Sequence, residues 1–594
     1  MRTTDVPISP PETAALSYGW KLQTVPFCGF FPLISIMEYR RLVEIYDRLD
    51  ATSSTLKKTD ILADAFSEAG DLLPELIQLA RGRLFASWES DELGVSSSLT
   101  AQAIANATGV NNDQIESWWR ETGDLGDAAA NAIENRAQTT LVSDTLEVRT
   151  VYETLRGLTE YEGTGSQDRR INDIANLLAD AEPNEARYIV RTIVGAMRLG
   201  VGEGTIRDAI ATAFLDGSDE AIQTVERAYE VTNDFRTVGE TAHDQGRNGL
   251  KELDIELFRP VKAMLAQKAE NVADALNGTE QPLAEYKYDG MRTKIHINGD
   301  EIRVFTRRLE NVTAQFPDIV AAAQEEITAE SAIIEAEVVA YDPETDSPIP
   351  FQEFSKRIKR KNDINEMAAE YPATVHVFDL LYHDGEPLIN RPLSQRIECL
   401  EEIIDHDEDK GTIQRAENHQ PASVEEAESF YADALKAGQE GLIVKNMNAL
   451  YQPGSRVGYM LKVKPMMEPL DLVVVQAKWS EGRKSDWLGR LRLACWDAEH
   501  EELREVGRMF SGLTDAELRE ITAKLEPLIQ SVDGRTAKIR PEIVIEVEYE
   551  EIQESTTYDS GYALRFPRFG GFRDDLGPED ADQFERVERL YEEQ

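Results

Sequence analysis

Glu285-Tyr286-Lys287-Tyr288-Asp289-Gly290 is the stretch on which the reading of this chain turns. Period-two alternation puts Glu285 and Lys287 on one face of a strand that ends at Asp289-Gly290. A second strand follows to Ile297, and Asn298-Gly299 predicts a two-residue hairpin turn into a third strand from Glu301. Further along, in order, come Arg307-Arg308, Glu335-Ala336-Glu337, Phe378-Asp379, Glu440-Gly441, Lys462-Val463-Lys464 and Arg565-Phe566-Pro567-Arg568. A lysine followed by Asp-Gly is common by accident. A lysine, two strand-borne acids and a Lys-x-Lys strand in this order is not.

A protonated lysine amine is a poor nucleophile and needs desolvation or neighbouring cations to become a good one. Lys462 and Lys464 share one face of a strand whose other face is Leu461 and Val463. Aimed into a pocket, they would supply those cations and neutralise phosphate charge; alone, two such lysines suit a solvated edge strand. Ile334, Ala336, Val338 and Ala340 line one face of another strand, with Glu335, Glu337 and Val339 opposite. Glu440 precedes the apolar strand that starts at Leu442. Carboxylates from separate strands can share a hard cation such as Mg²⁺ with phosphate oxygens. Singly, each reads as one surface acid among 110 Asp and Glu, so the weight lies in order and spacing.

Working outward, 594 residues suffice for about three to five domains. Residues 37–240 are patterned as helices, with Leu42, Ile45, Tyr46 and Leu49 recurring at three- and four-residue steps. Within them, Gly163-Thr164-Gly165-Ser166-Gln167-Asp168-Arg169-Arg170 opens a helix, and Ser166 is the expected N-cap beside Arg169 and Arg170. Such a helix start can hold a phosphate. The loop Arg198-Leu199-Gly200-Val201-Gly202-Glu203-Gly204 is glycine-rich, as suits close backbone approach to another surface or a tight helix–helix turn. Residues 241–467 alternate short strands with helices, and 468–594 hold several strands and one helix, which suits a small oligonucleotide-binding (OB-fold) barrel. The fold class expected is therefore multidomain: all-α, then α/β (α+β), then a C-terminal β-barrel.

Composition adds three constraints. No apolar stretch reaches the roughly 20 residues of a membrane span, and three scattered cysteines (Cys28, Cys399, Cys495) suggest neither a metal cluster nor a disulfide framework, as in a reducing cytoplasm. The net charge is −47, from 63 bases and 110 acids spread along the chain. That balance fits a protein of a salt-loaded cytoplasm, where dense carboxylates keep the surface hydrated, better than one that avoids polyanions. Against it, Lys356-Arg357-Ile358-Lys359-Arg360-Lys361 stands out; a polyphosphate backbone is its natural partner, met by Lys356, Lys359 and Arg360, and a solvated helix face is the alternative. Residues 1–36 carry two bases, two acids and five prolines. They are expected to be a non-native or disordered extension, with Met37 as the true start.

Taken together, these motifs resemble those of ATP-dependent DNA ligases of the archaeal and eukaryotic replicative type, within the covalent nucleotidyltransferases. The resemblance runs from about Met37 to near the C-terminus and, with the charge, points to a halophilic archaeon. It implies ATP and Mg²⁺ as cofactors, nicked duplex DNA as partner, a monomer in the cytoplasm, and work in replication, recombination and repair through a lysyl-AMP intermediate. Lys287 matches the adenylated lysine, Glu285 the residue that reads the adenine amino group, and Arg292 and Arg307 nucleotide-contacting arginines. Glu337 matches the ribose and metal motif, Phe378 the aromatic that stacks on the base, and Glu440 the second metal-linked carboxylate. Arg456, Lys462 and Lys464 match later phosphate or nucleotide contacts. Ser166, Arg169, Arg170, Gly200 and Gly202 fall in the segment that resembles the DNA-binding domain.

Two departures stand out. After Arg565-Phe566-Pro567-Arg568 the family's final motif continues with bases, where this chain has Gly571 and Leu576. Archaeal relatives bind the sliding clamp through a glutamine followed by paired aromatics; Gln138-Thr139-Thr140-Leu141-Val142 lacks the pair, so the clamp motif is weak. The rivals are an RNA-joining or RNA-capping nucleotidyltransferase, against which the large helical domain argues, and a non-catalytic DNA-binding relative, against which the retention of Lys287, Glu337, Glu440 and Lys462 argues.

Overall fold

The computed structural model describes residues 37–592 except 87, 90–92, 137–144, 343, 344, 346, 359, 361, 405–410, 466, 481–485 and 511. The expected N-terminal extension, the Gln138 stretch and Lys359 lie outside the described residues.

Helix follows helix from Tyr39–Asp50 to Phe235–Glu252. The apolar spacing that predicted the first of them places Leu42, Tyr46 and Leu49 wholly inside a common core with Ile189, Ile206 and Ile210. Small polar residues start the helices: the side chains of Ser54, Ser96, Asn111, Asp124, Ser218 and Asp234 each accept a backbone N–H of the first turn. The last helical stretch crosses the boundary expected at residue 240 and, beyond a break at Gly246 (φ 61°), reaches Glu252, with Leu250 in the helical core.

The central domain is built on two sheets. One has the strand order Leu265–Lys268, Arg456–Val463, Gly441–Asn446, Pro282–Lys287, Asn418–His419. The other runs Glu301–Thr306, Met291–Asn298, Ser331–Ala340, Ala373–His383, Glu386–Pro387, with Ile413–Arg415 against Ala373–His383. Tyr288, Asp289 and Gly290 carry the chain from the first sheet to the second. The hairpin turn sits one residue later than expected: Asn298 pairs with Glu301, so Gly299 (φ 55°) and Asp300 form the loop. Asparagine's tolerance of turn positions suggested otherwise, but cross-strand pairing claims Asn298.

Across the junction with the helical domain, Lys262 pairs with Glu203 at 2.7 Å and Ser455 donates to Glu230 at 3.3 Å. The backbone N–H of Phe258 donates to His296 Nδ1 at 2.9 Å.

The C-terminal domain is rich in antiparallel sheet. Leu470–Trp479 is its hub and pairs with Leu488–Asp497, Thr536–Ile539 and Val544–Glu548. The helices Asp515–Leu525 and Phe584–Glu592 cover its core through Ile521, Leu525, Val587 and Leu590. No helix among the described residues is long and apolar enough to cross a membrane.

Candidate active site

The two sheets bring the sequence motifs to one cleft. Gly441 pairs with Lys287 across adjacent strands, and the Glu440 backbone N–H donates to the Lys287 carbonyl at 2.8 Å. That register sets the Glu440 carboxylate directly on Lys287 Nζ. Lys464 Nζ reaches the same carboxylate oxygen at 2.8 Å. The acid therefore stands between the two lysines. Burial raises the Glu440 carboxyl, but Lys287 and Lys464 together hold it down at about 2.

The glycines after these acids are there for space. A Cβ on Gly290 would lie 2.4 Å from the Val338 carbonyl oxygen, and one on Gly441 (φ 138°) would lie 2.2 Å from that of Val463. Asp-Gly and Glu-Gly are thus the sequence traces of two close backbone crossings.

Glu337 lies opposite Arg292 on neighbouring strands of the second sheet. Its carboxyl is pushed up to about 7, first by burial and then by Glu440 and Asp289, against the pull of Lys287 and Arg292. Asp289 is raised to about 6 by burial and by Glu440. Burial also lowers the ammonium pKa of Lys462, with Lys464 and Lys287 adding to the effect. The cleft thus concentrates three carboxylates and three lysines.

A second group lies along the same strand as Lys287. Glu285 is 4 % exposed and pairs with Lys445 at 2.5 Å. Lys445 Nζ also donates to the Phe378 carbonyl at 3.3 Å and lies 4.5 Å from the centre of its ring. The Arg292 guanidinium carbon is 5.4 Å from that ring centre.

Arg292 itself pairs with Glu335 at 3.0 Å and donates to the Met264 carbonyl. Glu335 is fully buried, takes Lys294 at 2.7 Å and the Tyr451 hydroxyl at 2.9 Å, and its carboxyl falls to about 2 because these cations outweigh burial. Glu335 and Glu337 share a strand face, yet Glu335 anchors the sheet and Glu337 faces the lysines. Arg307 is exposed on the turn after Glu301–Thr306, and Arg456 is exposed with its guanidinium on the Ala266 carbonyl. The structure does not bring either of these against Lys287.

The helical domain corrects several expectations. Gly165 (φ 81°), not Ser166, occupies the N-cap of Ser166–Asp180, because the chain enters that helix through a left-handed residue. The Arg170 guanidinium is held by the carbonyls of Leu158 and Tyr161 at 2.9 and 2.6 Å. Arg169 is exposed and packs over Tyr161. Gly200 (φ 62°) and Gly202 are exposed in their loop, and Lys58 Nζ supports it from below by donating to the Leu199 carbonyl at 2.5 Å.

The basic run divides. Arg357 is 1 % exposed and is held by Asp318 and the carbonyls of Gln315 and Tyr371, while Lys356 and Arg360 are exposed. Lys356 lines a cavity of about 700 Å³ whose other wall includes Arg504, Tyr562 and Phe584 of the C-terminal domain.

Lys445, Glu550 and Lys58 escaped the sequence reading. The available signal for Lys445 was a lysine closing the apolar strand Leu442-Ile443-Val444, since a lysine there needs a buried acid. Glu550 reaches Lys464 from the C-terminal domain at 3.5 Å; in a chain this acidic nothing marks it. Arg565 pairs with Glu551 at 3.0 Å, close enough to Asp289 and Glu440 to feel their charge. Of the two departures, Gly571 lies in the strand Arg568–Phe572, and Leu576 packs beside Val473 and Val544.

A strand-end lysine set against a carboxylate, ringed by further lysines in a cleft between two sheets, defines a nucleotidyltransferase domain. Comparison with known proteins narrows the class. Residues 38–211 match the DNA ligase N terminus, 263–464 the ATP-dependent DNA ligase domain and 484–576 the ATP-dependent DNA ligase C-terminal region. A DNA ligase of Thermococcus onnurineus is 43% identical over 94% of this chain and 98% of its own. Those of Nanoarchaeum equitans and Archaeoglobus fulgidus are each 41% identical over 94% and 93% of this chain, and 98% of their own. A solved structure, Pmar-Lig_PreS3, shares the fold at 17% identity with a TM-score of 0.53, covering 90% of this chain and 99% of its own. The chain belongs to the ATP-dependent DNA ligase family, and it is an enzyme that uses ATP to seal nicks in duplex DNA. The RNA-directed and non-catalytic alternatives fall with that result.

Proposed function

We propose that Lys287 is the residue that carries AMP. Its neutral amine attacks the α-phosphorus of ATP, the bond to the bridging oxygen breaks, pyrophosphate leaves and a phosphoramidate remains. AMP then passes to the 5′-phosphate of a nick, and the 3′-hydroxyl displaces it. The observation that carries this reading is the shared Glu440 carboxylate, which orients Lys287 and Lys464 at the mouth of one cleft. Held as a carboxylate by both lysines, Glu440 orients the Lys287 amine rather than taking its proton. Lys462 and Lys464 would balance phosphate charge, and Arg307 and Arg456 would close on the nucleotide from their exposed positions. Phe378 and Glu285 would hold the base.

The cleft suits Mg²⁺. Burial first, and then the mutual charge of Glu337, Asp289 and Glu440, raises two of these carboxyls, and a divalent cation would relieve that charge. Glu337 and Glu440 would hold it. No group of three such ligands among the described residues closes round a metal by itself, so phosphate oxygens would complete the shell. When bound, the ion would stabilise charge on the transferring phosphate.

We read the C-terminal sheets as an oligonucleotide-binding barrel that helps close the clamp on DNA. Ser166, Arg169, Gly200, Gly202, Lys356, Lys359 and Arg360 would follow the duplex backbone, and Arg170 would brace the helix start. A cytoplasmic monomer acting in replication, recombination and repair fits this reading, and its sliding-clamp motif is weak.

Incubation with α-labelled ATP tests the nucleophile. Lys287→Ala should take no label, yet should slowly seal a nick that is already adenylated. Wild-type labelling of that variant would overturn the assignment.

A further inference from the structure

Lys445 enters the base-reading group from a strand that the nucleophile does not use. It pairs with Glu285 at 2.5 Å, both side chains being 7 % exposed or less, and also donates to the Phe378 carbonyl. A buried ion pair of this kind is no gain in stability over an apolar pair, so its value lies in what it does to the carboxylate.

We propose that Lys445 is a specificity-determining residue: by pairing with Glu285 it keeps the base-reading carboxylate an acceptor, which selects the adenine amino group against the guanine carbonyl. The inference rests on the reading of Glu285 as the residue that meets the base edge. An ionised carboxylate only accepts hydrogen bonds, whereas a protonated one also donates. Adenine offers an amino donor at C6, where guanine offers a carbonyl acceptor. The charge on Glu285 therefore decides which purine it welcomes.

The surroundings leave Lys445 as the main counterweight. On balance the Glu285 carboxyl is raised, by burial first and then by Asp379, while Lys445 opposes the rise most strongly and Arg415 weakly. Tyr288 is neutral, its hydroxyl accepting the Glu417 N–H. Asn418 pairs with Glu285 along the backbone without charge. Arg396 faces Asp379 and is consumed by it, at 2.7 and 2.9 Å.

The test is lysine labelling with α-labelled ATP and GTP in parallel, from pH 6 to 9, on wild type, Lys445→Met and Lys445→Arg. The ratio of the two rates cancels the titration of the nucleophile. Wild type should hold a high ATP-to-GTP ratio that falls less towards pH 6 than that of the neutral variants. Lys445→Met should lower it at least about tenfold at the acid end of the range, a loss of about 1.4 kcal/mol in discrimination, and regain it as pH rises and Glu285 ionises. Lys445→Arg should restore the wild-type ratio at every pH. Should the methionine variant not fold, Lys445→Gln carries the same expectation. Labelled wild type with an unchanged ratio in the neutral variants would overturn this inference alone. Wild type that takes no label from ATP would overturn the adenylation reading, and this inference with it.

Discussion

At the scale of single residues, two buried histidines and one acid pair show how burial sets charge. His296 is fully buried, and with Nδ1 accepting the Phe258 N–H its proton sits on Nε2. Burial lowers its pKa to about 3, with Lys294 and Arg303 adding to the effect. A depressed histidine is neutral in the fold and charges first in the unfolded chain. Its contribution is therefore complete above pH 6.5 and is lost progressively as pH falls towards about 3. At about 1.4 kcal/mol per pKa unit the full loss approaches roughly 5 kcal/mol. Urea unfolding of wild type and His296→Asn at pH 7, 6 and 5 checks this: the wild type should lose stability faster, and parallel curves would refute it. His376 behaves likewise, at about 4, through burial alone. Both acids stood out in the sequence, but not the split between Glu335, which anchors the sheet, and Glu337, which feels the charge of Lys287. Both occupy one strand face, and only the position of Arg292 and Lys294 on the neighbouring strand separates them.

At the scale of elements, the crossings at Gly290 and Gly441 hold the cleft together. Each lets a site residue pass within contact of another strand's carbonyl. Gly441→Ala must push Arg456–Val463 away and also pay for a conformation that side chains rarely adopt, about 1–3 kcal/mol. We expect it to lower the melting temperature and cut lysine labelling more than tenfold, since both Lys287 and Lys464 meet through Glu440. Gly290→Ala should act similarly. Gly157→Ala is the control: it is helical and its Cβ would meet nothing within 4 Å, so it should leave labelling intact and add slight stability. Equal labelling in all three variants would show that the crossings do not set the site. The strands and most helices were legible from their periodicities, whereas the Ser166 cap and the hairpin turn each moved by one residue. Local chemistry fixes that a turn occurs; pairing with a distant strand or entry through a left-handed glycine fixes where.

At the scale of the whole molecule, the charge of −47 governs conditions. Screening reaches about 30 Å at 0.01 M salt and about 3 Å at 1 M, so self-repulsion is severe in dilute buffer. Many of the bases are also engaged internally, as Arg207 is with Asp208 and Glu226, and Arg586 with Glu468 and Asp582. Molar salt should therefore favour the fold, although it weakens every phosphate contact. Backbone contacts at Gly200 and Gly202 and encirclement by three domains would then carry DNA binding. A salt titration of circular dichroism and of sealing rate on one nicked duplex is the measure. Both should peak at high KCl; full structure and peak sealing below about 0.1 M would refute salt adaptation.

The sequence by itself showed the three-part organisation and the order of the strand-borne motifs, and it marked Lys287, Glu337, Glu440, Lys462 and Lys464, which the fold gathers in one cleft. It could do so because period and motif spacing are local properties of the chain. Only the tertiary structure decided which charges meet. It placed Glu440 between two lysines, tied Arg357 and Arg170 to the scaffold, brought Glu550 over from another domain and set Lys445 against Glu285. A charged side chain takes its role from the partner that burial leaves within reach, and that partner is chosen by strand order and domain packing across hundreds of residues.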